Sequence, residues 1–278
     1  MKALPLKTYM FHYLRNSQTN SLKNLHYFDS DKFFNFVKKY KDKILTKNNI
    51  ETLIHSENKT LLDRNILLTF DDGLKDHFDE AYKTLNNFGL SGIFFINSNS
   101  IMTRQMDDVH KIHFLYGSIG WQMLSNIFSQ TAAEFSISLE DYYDYENAYS
   151  SYPLDNKNIA LVKYAINYKL EADLNKKIID TIFSNFSENY IQSSFYLSKE
   201  EIAEMDRNDM VFGYHGHEHI PFASLNKVEL EKSIKEQDIF FKELNICNNK
   251  VVSFPYGDET SYNIENLNVL KKLKINLA

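Results

Sequence analysis

The chain of 278 residues holds one cysteine, Cys247, so no internal disulfide can form and an oxidising compartment is not required. Cys247 itself reads as a small apolar side chain rather than a nucleophile. Excess basic charge is missing too: 31 Lys and Arg stand against 37 Asp and Glu, a formal net charge of -6. Phosphate neutralisation needs clustered positive charge, so nucleic acid is disfavoured as the main partner. No apolar run is long enough to span a bilayer, and Met1-Lys2-Ala3-Leu4-Pro5-Leu6-Lys7 lacks the apolar centre of a secretory signal. The expectation is a cytoplasmic protein with no transmembrane segment. No internal repeat or low-complexity linker divides the chain, so a single domain over 1–278 is expected. Hydrophobic residues at 43% and charged residues at 24% argue against disorder. The aromatic share of 14% suits a packed core and sugar stacking equally.

What is present is organised around Asn65-Ile66-Leu67-Leu68-Thr69-Phe70-Asp71-Asp72-Gly73. An apolar run stopped by polar residues and a glycine reads as a buried strand ending in a turn. Asp71 and Asp72 sit where the chain leaves that strand. Adjacent carboxylates repel, and they persist best beside a cation. The alternative is a helix N-cap for a helix beginning near Leu74.

Before this strand, Lys7 to Tyr13 reads as a short strand with His12 near its end, and Ser30 to Tyr40 as a helix capped by Asp29 or Ser30. A second short helix covers Asn49 to His55. After it, Leu74 to Asn87 reads as a helix closed by Gly89, and Gly92 to Asn97 as the next buried strand. Strand, helix, strand at this spacing is a βαβ unit, hence a parallel sheet. Further strands are expected at Met210–Tyr214 and Lys250–Phe254, with a helix over Asn226–Leu244 between them, capped by Asn226 and Glu229. The strand ends of a parallel barrel converge on one face, so Asp71, Asp72, His215, His219 and Tyr256 are expected to meet.

Ser98 to Arg207 is not needed for the barrel and reads as a mainly helical insertion, about 100–207, with a capping box at Ser198-Lys199-Glu200-Glu201. Packing over the catalytic face and a plain helical cap both remain open for it. His110 and His113 lie three apart on one helical face, among Val109, Ile112, Phe114 and Leu115, which favours packing over a metal. In His215-Gly216-His217-Glu218-His219, three of the nine histidines fall within five residues. Imidazole and carboxylate donors suit zinc, cobalt, nickel or iron(II), and His217 could coordinate as well as its neighbours, since alternate residues of an extended segment share a face. A metal-free polar loop is the alternative.

Thr69-Phe70-Asp71-Asp72-Gly73 resembles the first motif of the NodB-type polysaccharide deacetylases, carbohydrate esterase family 4. Gly213-Tyr214-His215-Gly216-His217-Glu218-His219 resembles their histidine motif, and Val252-Ser253-Phe254-Pro255-Tyr256-Gly257 their aromatic-Pro-aromatic-Gly motif. The three stand in the family's order and span most of the chain. The resemblance implies a distorted parallel (β/α) barrel and a metal-dependent hydrolase removing acetyl from an N-acetylated amino sugar or glycan precursor. It implies Asp72, His215 and His219 as ligands to a divalent metal, foremost zinc. Asp71 would be the general base, and the Tyr256 amide, set by Pro255, an oxyanion donor. It leaves His217 as a variable position, and it places His12, His217, Pro255 and Tyr256 at the substrate pocket. A cytoplasmic site would favour a nucleotide-linked or lipid-linked sugar made for surface polysaccharide.

The chain departs from the family twice. Many members carry an arginine paired with the base where Ser253 stands here, and many carry a late histidine as general acid, whereas no histidine follows His219. His12, His110, His113 and His217 are the candidates for that role. A deformylase or O-acetyl esterase, and a catalytically silent barrel binding glycan or protein, are the other readings.

Overall fold

Strands buried on both faces read as unbroken apolar runs, and the computed structural model folds these runs into one parallel sheet. It describes residues 5–17, 21–55, 63–186, 194–246, 249–257 and 260–277. Cys247 lies outside the described residues. The strands are β1 (Lys7–Phe11), β2 (Leu14–Arg15), β3 (Phe28–Asp29), β4 (Ile66–Phe70), β5 (Ile93–Ile96), β6 (Val211–Tyr214), β7 (Val251–Val252) and β8 (Asn276–Leu277). β1, β4, β5, β6, β7 and β8 pair in that order to make a six-stranded sheet, every pair parallel, while β2 and β3 form a separate two-stranded ladder. The main strands shorten from five residues at β1 and β4 to two at β7 and β8, which makes the (β/α) barrel open and distorted.

Side chains alternate across the sheet. One face carries Leu67, Ile93, Phe95, Val211 and Val251, closed by Leu45 and Ile50. The other carries an aromatic row in which Phe70 stacks on Phe94 at 4.5 Å and meets Phe11 at 5.6 Å and Phe33 at 5.9 Å. Phe33 comes from the helix Ser30–Tyr40, whose N-cap is Asp29, with its carboxylate accepting from the Lys32 amide. Gly213 in β6 fills a place no side chain can take: a Cβ there would lie 2.6 Å from the Phe95 ring and 2.8 Å from the Val251 carbonyl. Close packing of β5, β6 and β7 therefore depends on glycine at that position.

The helices largely follow local signals. Capping boxes close Ser198 with Glu201 and Asn226 with Glu229, opening the helices Lys199–Arg207 and Lys227–Glu243. The stretch expected as one helix after Gly73 differs. It is a π-helical segment, His77–Tyr82, followed by the helix Lys83–Asn87. There His77 is fully buried against Phe70 and Phe94, and its Nε2 donates to the His12 carbonyl at 2.9 Å.

The described residues fall into two compact units: those of 1–19, 27–105 and 193–278, which hold the sheet, and those of 20–26 and 106–192. The second lies within the expected insertion except for 20–26, a segment that carries no helical or strand signal. It is helical, with Asp108–Glu134 breaking its dihedrals at Gly120 and with Ala172–Phe186 packed alongside. Leu22 and Leu25 meet this long helix at Gly117, where a Cβ would approach both at about 3.1–3.2 Å. His110 is buried, with its ring 6.0 Å from that of His113. Among the described residues no helix is long and apolar enough to cross a membrane.

Phe70 anchors the aromatic row from the strand that leads to the paired carboxylates. Phe70→Ala is expected to cost ~3–5 kcal/mol of unfolding free energy, measured by urea titration, and an unchanged midpoint would contradict this packing.

Candidate active site

Parallel strands deliver their C-terminal ends to one edge of the sheet, and alternation then selects which side chains share a face. Asp71 continues the parity of Leu67 and Thr69, His215 that of Val211 and Gly213, and Ser253 that of Val251. All three therefore leave the sheet on one face. The β1–β4 register pairs Phe11 with Phe70, so the next residues, His12 and Asp71, stand side by side, and the Asp71 amide donates to the Phe11 carbonyl at 3.1 Å.

Asp72 would point to the other face of an extended strand. Its φ of 81° turns it back, and Gly73 follows at 63°. A non-glycine residue in the left-handed region costs about 1–3 kcal/mol and collects at functional sites. The turn places Asp72 Oδ1 at 3.2 Å from His215 Nε2 and 3.1 Å from His219 Nε2, and Asp72 Oδ2 at 4.0 Å from His12 Nε2. Gly216, at φ 79°, redirects the chain between the two histidines. The extended path that would have put His217 beside them is broken there. Instead His217 Nδ1 lies 2.9 Å from Ser98 Oγ, and its backbone is held by Ser233 and Asn99.

The remaining hydrogen bonds fix chemical roles. His215 Nδ1 donates to the Ser253 carbonyl at 3.0 Å, an acceptor-only partner that fixes the ring orientation and leaves Nε2 facing Asp72. Ser253 Oγ donates to Asp71 Oδ2 at 3.0 Å. Asp71 Oδ1 is buried and has no hydrogen-bond partner among the described residues. Burial pushes the Asp71 carboxyl above the ordinary carboxylate range and Asp72 adds to the rise, against the pull of His215, His12 and the Ser253 hydroxyl. Burial works against a charged His215, yet the Asp71 and Asp72 carboxylates outweigh it and raise its pKa. Two imidazole nitrogens and two carboxylates gathered in a buried space call for positive charge between them.

Asp72, His215 and His219 each offer a donor atom, all within 4.8 Å of one another. In a tetrahedral site with bonds of ~2.0–2.1 Å, neighbouring donors stand ~3.3 Å apart, close to the 3.1 and 3.2 Å found here. The donor set therefore fits a divalent metal of the zinc, cobalt, nickel or iron(II) type. Pro255 is buried, and Tyr256 has φ 70° and is 55% exposed, its ring 5.0 Å from that of His219. Phe254 stacks on Tyr262 at 4.4 Å and holds the turn from below. His110 and His113 belong to the other compact unit. Sequence reasoning placed Ser253 where many family members pair an arginine with the base but missed its own hydrogen bond to Asp71, and it missed the buried His77 behind His12.

The polysaccharide deacetylase family profile matches residues 58–129 and 171–278. A search of curated proteins finds no match. Among solved structures the chain is similar to the Streptococcus pyogenes deacetylase PplD in complex with acetate, at 14% identity and TM-score 0.56, over 98% of this chain and 81% of that one. It is also similar to IcaB from Ammonifex degensii, at 12% identity and TM-score 0.52, over 99% and 82% of the two chains. The de-N-acetylase from Aggregatibacter actinomycetemcomitans gives 12% identity and TM-score 0.52 over 97% and 84%. At such identities the structural likeness is one of fold, a distorted NodB-type (β/α) barrel.

The geometry separates the three histidines of the loop. His215→Ala and His219→Ala are expected to abolish retention of about one equivalent of zinc after desalting, while His217→Ala retains it. Loss of metal in the His217 variant, or retention in the other two, would contradict this ligand set.

Proposed function

The chain belongs to the polysaccharide deacetylase family, and from that premise we propose that it is a metal-dependent hydrolase releasing acetate from an N-acetylated amino sugar or glycan precursor. The observation that carries this reading is the meeting of Asp72, His215 and His219 around one space, with Asp71 beside them on the same sheet edge. A divalent ion held there supplies Lewis acidity and lowers the pKa of water toward ~7.

The residues divide the remaining work. Asp71, buried and adjacent, takes the proton of the attacking water as its oxygen bonds to the acetamide carbon. A general base of this kind contributes roughly 10²–10⁴-fold. The backbone amide of Tyr256 donates to the developing oxyanion, a contribution of ~3 kcal/mol for a well-placed donor. The left-handed strain at Tyr256 is the backbone signature expected where an amide is forced into one direction. Its exposed ring offers a flat face for a pyranose.

When the C–N bond breaks, the leaving nitrogen needs a proton, and His12 supplies it in this reading. His12 stands beside the carboxylate pair, its side chain is 42% exposed, and His77 holds its carbonyl from the core. His215 and His219 are committed to Asp72, and His217 to Ser98. A cytoplasmic setting belongs to the same reading, supported by the single cysteine and pointing to a nucleotide-linked or lipid-linked sugar.

The test is acetate release from N-acetylglucosamine oligomers by zinc-loaded protein. Acetate is expected, and Asp71→Asn should lower turnover roughly 10²–10⁴-fold while leaving zinc retention intact. Formate from an N-formyl sugar, or acetate only from O-acetyl groups, would transfer the site to a deformylase or an esterase. Glycan binding without any product would leave a silent barrel.

A further inference from the structure

Ser253 makes three hydrogen bonds, and each ends on a different part of the active edge. Its amide donates to the Tyr214 carbonyl at 3.0 Å, tying the end of β7 to β6. Its carbonyl accepts from His215 Nδ1 at 3.0 Å. Its hydroxyl donates to Asp71 Oδ2 at 3.0 Å, reaching a residue 182 positions earlier in the chain. The first two bonds belong to the backbone and any non-proline residue could make them. The third belongs to the side chain alone.

We propose that Ser253 is a positioning residue that locks the Asp71 carboxylate so that Oδ1, and not Oδ2, receives the proton of the attacking water; this rests on the hydrolase reading above. Asp71 Oδ1 is buried without a hydrogen-bond partner among the described residues, whereas Oδ2 is occupied by the hydroxyl. A carboxylate turns about a soft terminal torsion, and a single directed donor is enough to choose between its two orientations. In the step itself the water O–H bond breaks, its oxygen bonds to the acetamide carbon, and the proton moves to Oδ1. Ser253 keeps its own proton throughout and goes on donating to Oδ2. A neutral hydroxyl thus supplies direction at the base without adding positive charge to a space where metal ligands already converge.

The division between backbone and side chain makes the proposal separable from a structural role. Ser253→Ala retains the carbonyl that orients His215, so zinc retention and KM are expected to stay unchanged while kcat falls about 10- to 150-fold, the loss of one hydrogen bond to a charged group. Ser253→Thr keeps the hydroxyl and should return kcat to within about threefold of the unaltered protein. Crystal structures give a readout independent of turnover: the Asp71 carboxylate should rotate or split into two conformers in the alanine variant, with His215 unmoved, and hold one orientation in the threonine variant. An unrotated Asp71 in Ser253→Ala, loss of zinc, or a threonine variant as slow as the alanine one would overturn the proposal. So would a loss as complete as that of Asp71→Asn, which would place Ser253 in bond making rather than positioning. If the unaltered protein releases no acetate from any acetylated sugar, the hydrolase reading fails, and the catalytic claim for Ser253 fails with it; the crystal structures still decide whether the hydroxyl holds Asp71.

Discussion

Two carboxylates side by side in a buried space repel each other, and the rest of the active edge answers that repulsion. Asp71 and Asp72 are both almost fully buried. In such surroundings a carboxylate must be protonated, hydrogen-bonded or set beside positive charge. The structure uses different partners for the two. Asp71 turns to the Ser253 hydroxyl, and Asp72 to a pair of imidazoles. Two imidazoles packed against one carboxylate oxygen leave Asp71 without positive charge of its own, and a divalent cation among the four groups balances both carboxylates. The same requirement that makes the cluster unfavourable alone fits it to a divalent cation.

Backbone strain is placed to serve that cluster. Asp72 and Tyr256 both adopt positive φ on motif turns, each followed by a glycine that shares the conformation. Asp72 would otherwise face away from its partners, and the strain is sustained because the flanking strands are rigid: β4 is buried along its whole length and is braced by Phe70 against Phe94 and Phe33. Gly213 belongs to the same arrangement, since the approach of β6 to β5 and β7 sets the distance from which His215 and Ser253 bond. Core packing and site chemistry are therefore coupled through strand spacing. A variant that widens the sheet would loosen the ligands without touching them.

Much of this was legible in the residues. Unbroken apolar runs marked β4, β5 and β6, because a strand covered on both faces has no polar side to show. Helix caps at Asp29, Ser198 and Asn226 announced themselves through local hydrogen-bonding chemistry that does not depend on tertiary context. The clustering of Asp71, Asp72, His215 and His219 followed from strand ends converging on one edge. Features set by distant contacts were not legible. The bond from Ser253 to Asp71 spans 182 positions, and although the motif marks the position as one that faces the base, nothing local to the serine signals that its hydroxyl reaches it. The π-helical turn that buries His77, the short β2–β3 ladder, and the joining of 20–26 to the helical unit are likewise decided by packing. His217 shows the limit of periodicity: the extended pattern that would align it with its neighbours fails at one left-handed glycine, Gly216.

The central claim is that the carboxylate–imidazole cluster is a metal seat. Anomalous diffraction at the zinc edge, on crystals grown with zinc, tests it most directly. The account predicts one strong peak at ~2.0–2.2 Å from an Asp72 oxygen, His215 Nε2 and His219 Nε2 together, with Asp71 outside bonding distance. A cluster without a peak, or a peak bound by His217 in place of either loop histidine, would contradict it.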